Sequence, residues 1–410
     1  MKTDQTDTKS GMLMNREHAV VFQTYRRIPV AIDRAEGARI IDVNGRIYLD
    51  MLSGFAVNAL GHSHPKIIAA IEKQIRMFMH VSNAFYQEPQ VELAEQLLAA
   101  TGYPRVFFCN SGAEATEGAM KIARRFGTAQ SRYDIVGFSG GFHGRTYGPL
   151  SIMDKALYKD GMGPFLPNTL VLPFNDIDAL EARIDENTCA VMLEFIQGEG
   201  GIVEATEEFV SALWRLKERF GFLIIADEVQ CGMGRTGNFF AFERFGVQPD
   251  IVTIAKAVGG GLPLGAILAT NEAAQLFERG MHGTTYGGNP VACAAGSVVV
   301  QEVTSVLMKN VQEIGEYFGG RLLTLKNSHA HIVREVRGRG CMQGIVVEGE
   351  AAPFVSQLLD RGIIANATAG NVIRFLPSYL ITREDVDALV EALDSIFQLT
   401  ELEKIQTTHG

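Results

Sequence analysis

Two residues 29 positions apart could do chemistry together: Asp227, ending the apolar run LIIAD, and Lys256, ending DIVTIAK. A carboxylate at the end of a buried strand needs a cationic partner, because an unpaired charge there is costly. An amine withdrawn from water loses proton affinity and becomes a nucleophile able to form a Schiff base. Gly259, Gly260 and Gly261 follow the lysine, and their bare backbone permits close approach of another group. A third feature is Asn110-Ser111-Gly112-Ala113, between the apolar RVFFC and the helical GAEATEGAMKIARR. Free N–H groups and the positive end of a helix dipole make such a junction an anion site suited to phosphate.

Each feature also has an ordinary structural reading. Lysines are mostly solvated, acidic residues at strand ends mostly cap turns, and Ser111 with Glu114 reads as a capping box. Taken together, the three match the aldehyde, ring nitrogen and phosphate of pyridoxal 5′-phosphate.

The elements that must position these residues are short apolar runs separated by helical stretches: RVFFCN, DIVGFSG, TLVLPF, CAVMLEF, FLIIADEV, DIVTIAK and LGAILAT. Strands apolar on both faces predict a mainly parallel sheet between helices, an α/β domain. In such sheets ligands bind at the carboxyl ends of strands. Before it, ARIIDVNGRIYLDML alternates around Asn44-Gly45, a hairpin signal. After about residue 305, helix VLMKNVQEIGEYFGGRLLTLK, strands HIVREVRGRG, MQGIVVEG and NVIRFLP, and a final amphipathic helix from Thr382 predict an α+β module. The expected division is 1–54 as part of a small domain, 55–305 as the large domain and 306–410 completing the small one. The first ten residues read as disordered.

A net charge of −10 over 410 residues argues against nucleic acid as a partner. The five cysteines are scattered without a CxxC pair, which predicts neither a disulfide framework nor a zinc knuckle and fits a reducing cytoplasm. The N-terminus has no signal-peptide pattern, and no window reads as a membrane span. His62 and His64 lack a matching carboxylate or cysteine cluster, so they read as structural and no metal is expected.

NSGAEA, FHGRT, IQGEGG, ADEVQCGMGRTG, IAKAVGGGLPLGA and HGTTYGGNP stand in this order over roughly residues 20 to 397. In this they resemble the class III (ω-amino acid) aminotransferases of the fold type I pyridoxal-phosphate enzymes. FAVNALGHSHP, HVSNAFYQEP, PFNDIDAL, NTCAV and VIRFLPSYLIT resemble the acetylornithine subgroup. The resemblance implies a large domain with a seven-stranded sheet and a smaller α+β domain from the two terminal segments. It implies that Lys256 is the Schiff-base lysine and proton shuttle, and that Asp227 keeps the pyridine nitrogen protonated. Val229 and Phe142 would flank the ring, with Gln230 at its phenolic oxygen and Glu194 supporting that end. Ser111, Gly112 and Ala113 would cradle the phosphate. Thr285 would reach it from the neighbouring subunit of a homodimer.

The resemblance further implies Arg145 as clamp for the substrate carboxylate distant from the reacting amine, and Arg374 for the α-carboxylate of glutamate or 2-oxoglutarate. Arginine suits both places because its planar fork binds a carboxylate at two points and keeps its charge. Glu199 would pair with Arg374 while the ω-amine donor reacts and swing away for glutamate, and Thr284 would set a hydroxyl near the substrate. The implied reaction moves the δ-amino group of N2-acetylornithine to 2-oxoglutarate, as in arginine biosynthesis. Succinylornithine, succinyldiaminopimelate, ornithine and 4-aminobutyrate are alternative donors. Phe195 stands where much of the family has proline, which bears on the loop carrying Glu199. Phe55 lies where ornithine aminotransferases carry tyrosine, which argues against free ornithine. Rival readings are a nicotinamide dehydrogenase from GMGRTG (232–237), a non-catalytic member of the fold, and another pyridoxal-phosphate reaction.

Overall fold

A computed structural model describes residues 8–408. The seven apolar runs form one sheet in the order Arg105–Cys109, Gly265–Ala269, Ile251–Ile254, Leu223–Asp227, Thr188–Leu193, Asp134–Phe138, Thr169–Leu172. Gly265–Ala269 is antiparallel to both neighbours and every other pairing is parallel. Thr188–Leu193, Leu223–Asp227 and Ile251–Ile254 are buried at every position, which is why they read as continuous hydrophobic runs rather than as alternation. Helix Gly112–Thr128 packs on this sheet through Ala115, Ala119, Ile122 and Ala123. Small side chains there let the helix axis lie close to the strands.

The N-terminal hairpin pairs Arg39–Asp42 with Ile47–Asp50, and Ile32–Glu36 adds on the outer side. Asp42 shapes its turn: Oδ1 accepts the N–H groups of Asn44 and Arg46 at 2.8 and 2.9 Å. The late strand Ile363–Ile364 pairs in parallel with Ile47–Asp50, tying the two ends of the chain together. A second sheet has the order Val333–Arg339, Met342–Val347, Val372–Phe375, Asn366–Thr368. Helix Arg383–Thr408 covers this region, burying Val386, Leu389, Leu393, Ile396 and Phe397.

Three readings need correction, and one rival reading loses its support. Residues 8–10 belong to an ordered N-terminus: helix Lys9–Val20 starts at Thr8, whose side chain accepts the Gly11 N–H, while residues 1–7 lie outside the described part. The stretch Pro290–Ser328 is long and apolar enough to cross a membrane by composition, but half of its apolar window is buried inside the fold, against helices Pro65–Met77 and Glu88–Thr101. Helix Ala352–Asp360 and the strands Ile363–Ile364 and Asn366–Thr368 were not anticipated, being short and flanked by glycines. Finally, GMGRTG opens onto the short 3-10 turn Ala241–Phe245 rather than a helix. It therefore offers no helix N-terminus to a dinucleotide.

Candidate active site

Five strand ends converge on a cavity of about 470 Å³. Asp227 is the Cα partner of Thr253 in the next strand, so Lys256, three residues farther on, emerges beside it. On the far side of Ile251–Ile254, strand Gly265–Ala269 sets Gly265 opposite Cys109, which brings Ser111 and Gly112 to the same edge. Glu194 follows Leu193, the partner of Ala226, and Phe142 and His143 lie beyond Phe138. Ser111, Gly112, Ala113, Phe142, Arg145, Glu194, Glu199, Asp227, Val229, Gln230 and Lys256 all line the cavity.

Lys256 occupies a left-handed backbone conformation with φ 49°, which costs a non-glycine residue roughly 1 kcal/mol or more and persists only where the surroundings enforce it. Burial pulls the Lys256 amine below its usual range; Asp227 and Glu194 oppose that pull, and Arg374 adds to it. The glycines after it serve differently from expectation. A Cβ on Gly260 would sit 3.0 Å from Ile67 Cδ1 and 3.1 Å from Val299 Cγ2, so this residue answers to core packing. Gly261 alone of the three lines the cavity.

Asp227 is 2% exposed. Its Oδ2 lies 2.7 Å from His143 Nδ1 and its Oδ1 accepts the Val229 N–H at 3.1 Å. His143 was not singled out from the sequence. Burial works against its charge, but the hydrogen bond and charge of Asp227, with Glu194 behind them, raise the imidazole pKa overall. Glu194 accepts the N–H groups of Phe142 at 2.9 Å and Gly198 at 3.2 Å, fixing two loops at once. Burial pushes its carboxyl up to about 7. The adjacent Glu228 instead accepts from Ala241 N–H at 3.0 Å and from the Cys231 thiol at 3.2 Å, and burial raises it to about 8.

At the anion site Ser111 is the N-cap of helix Gly112–Thr128 and accepts the Glu114 N–H at 3.2 Å. Glu114 reaches back past the cap and accepts the Asn110 N–H and Nδ2, so the expected capping box is shifted by one residue. The cap uses the Ser111 oxygen as acceptor, so its O–H stays available as a donor. A Cβ on Gly112 would lie 2.8 Å from Val229 Cγ1, so only glycine lets this helix start pass under Val229.

The two arginines differ. Arg374, on Val372–Phe375, is fully buried behind the cavity wall. Its Nη1 donates to Glu199 Oε1 at 2.7 Å and to Gln230 Oε1 at 3.3 Å. The Glu199–Arg374 pair is thus present, and Gln230 joins it. Arg145 is exposed at the mouth, with its guanidinium carbon 3.6 Å from the centre of the Tyr158 ring and 5.5 Å from that of Phe142. Tyr158 also went unremarked in the sequence. Phe195 is wholly buried against Trp214, Phe242 and Phe245, and the loop after it still delivers Glu199 to Arg374. Phe55 sits with its ring centre 5.8 Å from the Arg374 guanidinium carbon.

Thr284 and Thr285 are not brought to the cavity of their own chain. Thr284 Oγ1 accepts from Asn110 Nδ2 at 2.8 Å, behind the anion-site loop, and Thr285 is exposed. His62 pairs with Asp50 at 2.7 Å, a structural contact.

The residues present fit pyridoxal 5′-phosphate on three counts: a buried amine, a buried carboxylate with an imidazole behind it, and a helix N-terminus beside a free hydroxyl donor, all on one cavity. The sequence profile of the class-III aminotransferases matches residues 20–397. Acetylornithine aminotransferase of Methanocaldococcus jannaschii is 43% identical over 387 residues, 93% of this chain and 96% of its own length. That of Caldanaerobacter subterraneus subsp. tengcongensis is 43% identical over 389 residues, 94% and 98% of the two chains. Among solved structures, ornithine aminotransferase of Toxoplasma gondii superposes with a TM-score of 0.92 at 29% identity, covering 98% of this chain and 100% of its own. N-acetylornithine aminotransferase of Stenotrophomonas maltophilia superposes at 0.81 with 34% identity, covering 95% and 100%. With cavity, lysine and carboxylate in their expected places and relatives matched over nearly their full length, the chain belongs to the class-III aminotransferases, enzymes that depend on pyridoxal 5′-phosphate.

Proposed function

We propose that this enzyme transfers the δ-amino group of N2-acetylornithine to 2-oxoglutarate, giving N-acetylglutamate 5-semialdehyde and glutamate. The observation that carries the reading is the pair of arginines, Arg145 open at the mouth and Arg374 masked by Glu199 at 2.7 Å. A donor that reacts through its ω-amine presents one carboxylate, which Arg145 can take while Arg374 stays neutralised. A dicarboxylic oxo acid presents two, and the second can displace Glu199. The names of the 43%-identical relatives support the same donor.

Pyridoxal 5′-phosphate, when bound, supplies an aldehyde that condenses with amines and a ring that withdraws electrons from the reacting carbon. The Gly112 and Ala113 N–H groups and the Ser111 hydroxyl would hold its phosphate, and Asp227 would pair with its ring nitrogen. His143 orients that carboxylate through the 2.7 Å bond. Val229 and Phe142 would flank the ring and shield its faces from water. Gln230 would reach the phenolic oxygen and Glu194 would brace that end of the ring. Lys256 Nζ, its proton affinity lowered by burial, would take the proton from the substrate carbon and deliver it to the cofactor carbon that carried the aldehyde.

A homodimer with shared sites is part of the proposal. Thr285 and Tyr286 are exposed, beside exposed Met77, Met79, Phe85 and Tyr86. These apolar groups suit burial against a second copy whose phosphate end Thr285 would reach. We place the enzyme in the cytoplasm, with 1–54 and 306–410 as a small domain against 55–305. The test is glutamate formation from 2-oxoglutarate with a panel of amines. N-acetylornithine should exceed N-succinylornithine, ornithine and 4-aminobutyrate in kcat/KM, and a different winner would replace the donor.

A further inference from the structure

Arg374 has five N–H donors to place, and it is wholly buried. Nη1 serves Glu199 and Gln230, Nε donates to Asn366 Oδ1 at 3.1 Å, and Nη2 has no partner. Asn366 lies directly opposite Arg374 in the antiparallel pair Asn366–Thr368 with Val372–Phe375. Its amide cannot turn over without cost. Nδ2 donates to Ala367 O at 3.2 Å, and the flipped amide would set N–H against N–H at the guanidinium. Two residues along the same strand, Thr368 Oγ1 donates to the Glu199 main-chain oxygen at 2.8 Å. The Glu199 backbone is therefore tied down while its carboxylate, 28% exposed, is free to leave.

We propose that Asn366 is a positioning residue that makes the exchange at Arg374 possible and so sets specificity for the dicarboxylic partner. This rests on the reading above, in which Arg374 receives the α-carboxylate of glutamate or 2-oxoglutarate. When that carboxylate replaces Glu199 at Nη1, it also needs Nη2. The Nε bond to Asn366 keeps the guanidinium plane fixed during the exchange, so both donors face the incoming group as a preformed fork. The neutrality of the amide is as important as its oxygen. A carboxylate at this position would neutralise Arg374 permanently, and the departure of Glu199 would no longer expose a charge for the substrate to meet.

The test uses the holoenzyme with Asn366→Asp and, as a second variant, Asn366→Ala. Rapid-mixing absorbance follows each half-reaction separately, with glutamate or 2-oxoglutarate on one side and N-acetylornithine on the other. For N366D, half-saturating concentrations of glutamate and 2-oxoglutarate should rise at least about tenfold more than that of N-acetylornithine, equivalent to ~1.4 kcal/mol. For N366A the same selective rise should be smaller, a few-fold, because orientation is lost and the charge kept. Equal shifts on both sides in N366D, or none, overturn the proposal, as does a rise in N366A larger than in N366D. Failure of the donor assignment is seen separately, in the unsubstituted enzyme, as no response to N-acetylornithine alongside a normal response to glutamate.

Discussion

Replacing Glu199 by glutamine removes the charge that masks Arg374 and leaves the shape. Its Oε1 lies 2.7 Å from Nη1 of an arginine that no solvent reaches. Hydrogen bonds to a charged group span about 1.5–3 kcal/mol; with glutamine the bond keeps the guanidinium charge but loses the carboxylate's, so the mask drops from the upper to the lower end of that span, weakening by roughly 1–1.5 kcal/mol. Because the Glu199 side chain is 28% exposed, the lower part of that range applies. The competing carboxylate of glutamate or 2-oxoglutarate should gain what the mask loses. Half-saturating concentrations of both should fall about fivefold. The donor half-reaction should move oppositely, since an unmasked buried cation repels the ammonium end of N-acetylornithine, and kcat/KM should drop by a similar factor. Stopped-flow absorbance of the two half-reactions measures both numbers on one preparation. Movement of both in the same direction, or of neither, would refute the reasoning, because only a mask shared between two partners predicts opposite signs.

Tyr158→Leu removes the face on which Arg145 rests at 3.6 Å; an exposed cation–π contact is worth about 0.5–1 kcal/mol, so KM for N-acetylornithine and for 2-oxoglutarate should both rise two- to fivefold with kcat little changed. His143→Phe leaves the buried Asp227 carboxylate without its 2.7 Å partner. Loss of about 1.5–3 kcal/mol should weaken cofactor retention ten- to a hundredfold, as read by fluorescence titration of the apoenzyme, and unchanged affinity would remove His143 from the site. Far from the cavity, His329 lies between Glu401 at 2.6 Å and Asp394 at 2.8 Å, and His331 also reaches Glu401 at 3.0 Å. Burial opposes the charge on His329, but its two carboxylate hydrogen bonds raise its pKa above the ordinary 6.5. A raised folded-state pKa means stability that is fully present below about pH 6.5 and lost as the pH climbs through the higher folded value. With Asp394 half exposed, roughly 1 kcal/mol is expected. His329→Gln should flatten the alkaline fall in Tm over that window, and an unaltered profile would contradict the pairing.

The central sheet was legible because burial on both faces writes itself as runs such as LIIAD and CAVML, and their ends point to the ligand. Asp227 and Lys256 could be read for the same reason: a charged residue closing an apolar strand is out of place unless something meets it. His143 escaped because its meaning lies in a bond to Asp227, 84 residues away, and no local spacing reports that. Tyr158 and Asn366 escaped although their arginines are near in sequence, because each meets its arginine only through a fold back of the chain that no local period reports. Gly260 was over-read, since a ligand and the side chains of Ile67 and Val299 exclude a Cβ equally well. The helix Lys9–Val20 was missed because it buries no residue, and without a buried stripe there is no apolar period to find.

The most direct measurement follows the visible absorption of the purified holoenzyme as N-acetylornithine is added without any oxo acid, and then 2-oxoglutarate. The account predicts a yellow band that depends on Lys256, is bleached by N-acetylornithine and returns with 2-oxoglutarate. A band that persists through N-acetylornithine but is bleached by another ω-amine would contradict the donor, and no band after addition of pyridoxal 5′-phosphate would contradict the site itself.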